Sequence, residues 1–138
     1  MSTEEKSQMR SRYFLITATS FAVFTSLVHF IAGGQDTVPP LLQSAIATPQ
    51  RLTLYACWHL VTVALFYSAA ILTLASLKKY KNKFEHFVKT ISYLWISFAL
   101  VFIIIAISQL GLQGLVELPQ WTLLLPVGVF GLLSTRTQ

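Results

Sequence analysis

The chain has 138 residues, of which 54% are hydrophobic and only 11% are charged, and its mean hydropathy is +0.64. A soluble domain carries about 25% charged residues, so the composition excludes an ordinary soluble protein and indicates a membrane protein of one domain. The net charge of +5 comes from basic residues beside apolar runs, a pattern typical of membrane helices and not of nucleic-acid binding. A single cysteine, Cys57, excludes an intrachain disulfide.

Four apolar runs predict four transmembrane helices, at approximately residues 13–32, 52–77, 90–112 and 118–134. A helix needs about 20 apolar residues to cross the hydrocarbon layer, and the first three runs meet that length. The fourth run is short and contains Pro126, which predicts a kinked helix whose freed backbone groups face protein. The first run lacks a small-residue cleavage site before Gly33, so we interpret it as a retained helix and not as a signal peptide.

The basic residues are distributed very unequally between the two sides of a four-span topology. Arg51 falls on one side, and nine fall on the side of the termini and of the loop 78–89: Lys6, Arg10, Arg12, Lys78, Lys79, Lys81, Lys83, Lys89 and Arg136. The positive-inside rule therefore predicts that both termini and the loop 78–89 are cytoplasmic. This loop is basic and aromatic, which favours contact with anionic lipid headgroups.

The outer loop 33–51 has 19 residues and is too apolar for a free loop in water. Pro39-Pro40 predict the start of a short helix and Pro49 its end, and Asp36 and Arg51 at the two ends of the loop are predicted to pair. The predicted fold is therefore an all-α four-transmembrane-helix bundle, with a short interfacial or re-entrant segment in its first outer loop.

Polar side chains enter the membrane in the outer half of this bundle. Arg51, Tyr55 and His59 are spaced four residues apart and share one face of the second helix. Ionisable groups are costly in lipid, so they are expected to face the bundle interior, a partner or water. The sequence thus predicts an outward-facing pocket with these candidate ligand-binding residues: His29, Asp36, Arg51, Tyr55, Trp58, His59, Gln109 and Glu117.

Several functions are compatible with this pattern. No nucleophile–base pair, paired carboxylates, HExxH or phosphate-binding loop is present, so no catalytic residue is assigned and we favour a non-enzymatic binding or accessory role. The partners are then the lipid bilayer together with a small ligand, a membrane protein or a second copy of the chain. One alternative is a bundle in which His29 and His59 hold haem b or a metal ion. Another is an oligomeric small-solute transporter, and the same polar residues also suit a purely structural role in fixing helix register.

The succession His29, Gly33-Gly34, Pro40-Leu41-Leu42, Ser44, Arg51 and Trp58-His59 resembles a group of small, uncharacterised four-helix bacterial inner-membrane proteins. The resemblance covers approximately residues 29–59. It implies a four-helix architecture and a bacterial inner membrane, and it implies no chemistry.

Overall fold

The structure, a computed structural model, describes residues 2–77 and 81–136, and these residues are helical almost throughout. In chain order the helices are α1 Thr3–Asp36, α2 Val38–Gln43, α3 Thr48–Ser76, α4 Lys81–Leu110, α5 Gly114–Glu117 and α6 Trp121–Arg136, with a 3-10 turn over Gly111–Gln113. No strand occurs within the two described ranges. The predicted all-α class is confirmed.

The four main helices form a four-cornered antiparallel bundle. Helix α1 packs against α3 and α6, and α4 packs against the same two helices, so α1 and α4 lie at opposite corners. Helix α1 is antiparallel to both α3 and α6, because its first half contacts the ends of those helices. Thr19 Oγ1 lies 3.2 Å from the carbonyl oxygen of Leu72 on α3, and Ser11 Oγ donates to the carbonyl of Ser134 on α6 at 2.6 Å. The start of α1, the end of α3, the start of α4 and the end of α6 therefore share one end of the bundle. We call this the basic end, because Lys6, Arg10, Arg12 and Lys89 lie there; the opposite end, formed by residues 34–51 and 109–121, is the loop end.

Three helical stretches are long and apolar enough to cross a membrane: Thr3–Gln43, Thr48–Ser76 and Phe84–Glu117. Helix α6 has 16 residues and is shorter. Large apolar side chains are exposed on the outside of the bundle, among them Leu60, Val63 and Ile104. A surface of this kind suggests an integral membrane protein, since a soluble monomer exposes few contiguous apolar patches.

Small side chains fill the interior where the helices approach one another. Those with almost no exposure are Ser11, Ala18, Ala22, Ser26, Ser68, Ala69, Ala75, Ser92, Ala99 and Ala106. The closest approach joins α4 to α6. A Cβ built on Gly128 would lie 2.5 Å from Cγ1 of Ile96 and 2.6 Å from the Ser92 carbonyl oxygen, and one on Gly131 would overlap the Ser92 hydroxyl. Because lipid offers little apolar driving force between helices, such close packing is what stabilises their association.

Helix α1 extends further in both directions than the predicted span 13–32. Its start is fixed by a capping box, in which Ser2 Oγ accepts from the Glu5 N–H at 3.2 Å and a Glu5 carboxylate oxygen accepts from the Ser2 N–H at 2.7 Å. At the other end the helix continues through Gly33-Gly34 to Asp36. Trp58 of α3 packs over the two glycines, which keeps this segment helical.

Helix α4 begins earlier than the predicted third span, which was expected at residue 90. Residues 81–89, assigned from the sequence to a cytoplasmic loop, form the first turns of α4, and Glu85 and Lys89 pair there across one turn at 3.0 Å. Hydropathy locates the apolar part of a helix and not its polar first turns, which explains the difference. Residues 78–80 of the same predicted loop lie outside the described part of the chain. Helix α6 begins at Trp121, after a turn that replaces the first residues of the predicted span 118–134.

A short helix does occupy the outer loop. Helix α2 carries Pro39 and Pro40 in its first turn, as the sequence predicts. Pro49, however, does not end α2: it lies in the first turn of α3, which begins at Thr48. Proline suits a first helical turn because the N–H groups there have no partner within the helix.

We predict that Gly131→Ala destabilises the bundle by about 1–3 kcal/mol, because the new Cβ meets Ser92 and forces α4 and α6 apart. Gly34→Ala is the matched control: its Cβ would lie 3.8 Å from the Trp58 ring, an ordinary contact, so its effect should be small. Unfolding in mixed detergent micelles measures both. Ser92→Ala should partly rescue Gly131→Ala; equal stability of the two glycine variants would contradict the close α4–α6 approach.

Candidate functional site

The polar contact between α1 and α3 near the loop end joins His29 to Thr62. His29 Nε2 lies 3.1 Å from Thr62 Oγ1, and the Thr62 hydroxyl also donates to the Trp58 carbonyl at 3.0 Å. A hydroxyl has one proton, so the hydroxyl that donates to Trp58 accepts from His29. This arrangement favours the His29 tautomer that carries its proton on Nε2.

Four rings continue from this contact and make up what we call the imidazole–indole cluster: His29, Trp58, His59 and Tyr55. His29 and Trp58 stack with centroids 4.8 Å apart and planes at 19°. His59 meets the Trp58 ring edge-on at 5.0 Å and the Tyr55 ring edge-on at 4.5 Å. His29, Trp58 and Tyr55 are half-buried, whereas His59 is exposed. The cluster thus runs from the α1–α3 interface to the outer surface of α3.

The local sequence explains this arrangement. Two turns of α3 carry Tyr55, His59 and Thr62. Trp58 precedes Thr62 by four residues, so Trp58 and Thr62 both face α1. On α1, Gly33 and Gly34 carry no side chain, and the Trp58 indole lies against them: its Nε1 would be 3.7 Å from a Cβ on Gly33. The Trp58 indole thus packs against α1 at Gly33-Gly34 while it stacks on His29.

Arg51 contacts the loop and not Asp36. Its guanidinium donates to the Ser44 carbonyl at 3.1 Å and to the Thr48 hydroxyl at 3.4 Å, which ties α2 to the start of α3. The predicted Asp36–Arg51 ion pair is wrong. Asp36 is exposed at the end of α1, and among the described residues the ion pair found is Glu85–Lys89. The link between α2 and α3 places the Ser44 carbonyl and the Thr48 hydroxyl within hydrogen-bonding distance of the Arg51 guanidinium.

Gln109 and Glu117 lie apart from the imidazole–indole cluster. Both are exposed, and they belong to the segment at the end of α4, at the corner opposite α1. Gly111 has φ +68, a left-handed conformation that ends α4 and turns the chain back. Gly114 then packs on the end of α4, where a Cβ would overlap the Ala106 carbonyl.

Of the eight predicted pocket residues, the structure brings together His29, Tyr55, Trp58 and His59. It leaves Asp36, Gln109 and Glu117 exposed, and it uses Arg51 to hold the loop. Thr62, which the sequence places on the same face as Arg51, Tyr55 and His59, was not among the candidate residues but contacts His29. Its signal in the sequence is the four-residue spacing from Trp58, which places a hydroxyl on the face toward α1.

His29 and His59 do not fit a shared haem or metal ion as they are placed. The Nε2 of His29 is engaged by Thr62, and one face of its ring is covered by Trp58. Within residues 2–77 and 81–136, no group of three or more His, Cys, Asp or Glu side chains is arranged to hold a metal ion. Cys57, next to Trp58, is exposed.

No protein-family model, curated protein or solved structure matches the chain. Function therefore has to be argued from the geometry of its own residues.

We predict that Thr62→Val lowers the unfolding free energy by about 0.6 kcal/mol, the usual size of an interhelical hydrogen bond in a membrane bundle. Thr73→Val is the matched control, because the Thr73 hydroxyl bonds only to Ala69 of its own helix. A double-mutant cycle of Thr62→Val with His29→Phe, which keeps a ring against Trp58, should give a coupling free energy of about that size between the two side chains. Additive effects in that cycle would show that the two side chains do not interact.

Proposed function

We propose that the chain is a small, non-enzymatic, polytopic membrane protein that binds a partner through the exposed side of its imidazole–indole cluster. The observation that carries this proposal is the exposure of His59 on a helix long and apolar enough to cross the membrane. An imidazole facing lipid is costly, so ionisable groups at such positions are covered by a polar partner or by water.

The position of His59 supports a covered surface. It lies 11 residues after Thr48, about 16 Å along α3, well beyond the first turns of the helix. Two large apolar side chains, Leu60 and Val63, are 68% and 66% exposed nearby. An ionisable group framed by apolar side chains suits the side of another transmembrane helix that presents a hydrogen-bonding group, because interhelical hydrogen bonds are common between such helices. An accessory role beside a membrane-protein partner accounts for this surface better than an enclosed small-ligand pocket.

The proposal includes four membrane crossings, with both termini and the α3–α4 connection on the cytoplasmic side. The antiparallel bundle supports it, since Lys6, Arg10, Arg12 and Lys89 gather at one end and Arg51 lies at the other. Helix α6 is the short crossing, and it packs between α1 and α4 with Pro126 half-buried. Helix α2 is the interfacial segment on the outside. We also propose a bacterial inner membrane as the location, which is what the resemblance of residues 29–59 implies.

We predict that cysteine labelling reports this topology in a Cys57→Ser background. A membrane-impermeant maleimide added to whole cells should modify a cysteine introduced by Gln43→Cys on α2, which is exposed at the loop end, and should spare one introduced by Ser2→Cys until the cells are opened. Labelling of Ser2→Cys in intact cells would contradict the orientation.

We predict that His59→Ala disrupts assembly and that His86→Ala does not. Both histidines are exposed in the structure, but His86 lies near the start of α4 at the basic end and outside the cluster. In mild detergent the full chain should migrate as a complex on native gels, and His59→Ala should shift it toward the free form.

Chemical modification gives a second readout. The imidazole of His59 should be protected from diethyl pyrocarbonate in native membranes and become reactive after purification of the chain alone, whereas His86 should react in both states. Equal behaviour of the two histidines in the gel and in the modification would contradict a partner at the cluster.

A further inference from the structure

An open groove of about 230 Å³ lies along the start of α1 at the basic end, far from the imidazole–indole cluster. Its lining residues are Lys6, Met9, Arg10, Tyr13 and Phe14. The spacing i, i+3, i+4, i+7 and i+8 places them on one stripe of the helix. The surface of this shallow groove is mostly apolar, and Lys6 and Arg10 border it at the end nearer the chain terminus.

The cations of the groove are available to an anion. Lys6 and Arg10 are exposed, and the ion pair found among the described residues, Glu85–Lys89, does not involve them. The nearest acidic neighbour in sequence, Glu5, is held by the Ser2 N–H in the helix cap. The guanidinium carbon of Arg10 lies 5.6 Å from the centre of the Phe14 ring, so a cation–π contact holds it over the groove. A guanidinium presents a planar fork of donors that matches phosphate oxygens.

The length of the groove matches the layers of a bilayer leaflet. Lys6 and Tyr13 are seven residues apart, about 10 Å along the helix axis. The headgroup layer of one leaflet is about 5–7 Å thick, so cations at the phosphate level place Tyr13 and Phe14 at the edge of the hydrocarbon. Tyr13 is 64% exposed and Met9 is 39% exposed, which leaves apolar surface beside the cations for an acyl chain.

We propose that this groove is a binding site for an anionic phospholipid, with the phosphate on Lys6 and Arg10 and the upper acyl chain on Met9 and Tyr13. Charge complementarity selects an anion, and the aromatic half of the groove selects one that carries a hydrocarbon chain. The site goes beyond the partner-binding role, because it lies at the other end of the bundle and shares no residue with the cluster.

The test uses the full chain in nanodiscs of phosphatidylcholine, with and without phosphatidylglycerol. A benzoylphenylalanine photo-cross-linker at position 9 reports which lipid occupies the groove, through the mass of its adducts. The expected result is a clear excess of phosphatidylglycerol adducts over its share of the lipid. Each of Lys6→Gln and Arg10→Gln should lower that excess about fivefold, the effect of one cation near an anionic surface. Tyr13→Ala should lower it without any change of charge.

Lys89→Gln is the matched control, since it removes one positive charge from the same end but from a side chain already paired with Glu85. It should leave the excess unchanged. The site would be overturned if Lys89→Gln lowered the excess of phosphatidylglycerol adducts as much as Lys6→Gln does. It would also be overturned if the adducts of the native sequence followed the bulk lipid ratio, because either result leaves only diffuse attraction to the membrane.

Soluble glycerol phosphate, added to phosphatidylcholine nanodiscs, should not raise the unfolding temperature, whereas phosphatidylglycerol should. A rise with glycerol phosphate of the same size would contradict an anchored lipid. Unfolding of each variant in phosphatidylcholine alone confirms that it folds. Should Arg10→Gln fail there, Lys6→Gln and Tyr13→Ala still decide the question.

Discussion

The close approach of helices through very small side chains is the constraint on which the rest of this structure depends. In lipid, an apolar side chain gains little by moving from acyl chains to another helix, so association relies on close packing and on hydrogen bonds. Gly128 and Gly131 admit Ser92 and its backbone carbonyl from α4, and Ala18 and Ala22 lie fully buried on α1. Many large apolar side chains are exposed on the outside, while Trp95, Leu72 and Val127 are buried together with the small residues. The exposed apolar surface, and not an absence of large residues from the core, distinguishes this bundle from a soluble one.

Close approach also lets hydroxyl groups reach across helices and fix their register. Thr19 reaches the Leu72 carbonyl from α1 to α3, and ten residues further along α1 His29 reaches Thr62, ten residues back along α3. Two such contacts on one antiparallel pair define the register over that whole length. The same register brings Trp58 against Gly33-Gly34. The imidazole–indole cluster is therefore a consequence of how α1 and α3 pack, and substitutions at Thr19 are expected to reach the cluster through the register.

Hydropathy and proline positions predicted the all-helical class, the apolar parts of the long helices and the short helix after Thr37. They could not predict where the helices end, because ends depend on caps: the capping box at Ser2 and Glu5 adds ten residues to α1 ahead of its predicted start. The spacing of polar residues along one helix also does not reveal which other helices pack against it. Gln109 and Glu117 lie as near the loop end as His29 does, yet α4 lies at the corner opposite α1 and keeps them apart. The predicted Asp36–Arg51 pair is wrong for a related reason, since the guanidinium bonds to the nearby Ser44 carbonyl and Thr48 hydroxyl instead.

The two ends of the bundle carry different polar side chains. At the basic end, Lys6 and Arg10 are exposed on the stripe of α1 that also carries Met9 and Tyr13. At the loop end, His59 stands on a rigid helix, held through Trp58 by the stack on His29, and it cannot move to the interface as a lysine would. Helix α3 is long and apolar enough to cross a membrane, and an ionisable side chain on such a helix is costly in lipid unless a polar group covers it. The proposed partner follows from this rigid, exposed position of His59.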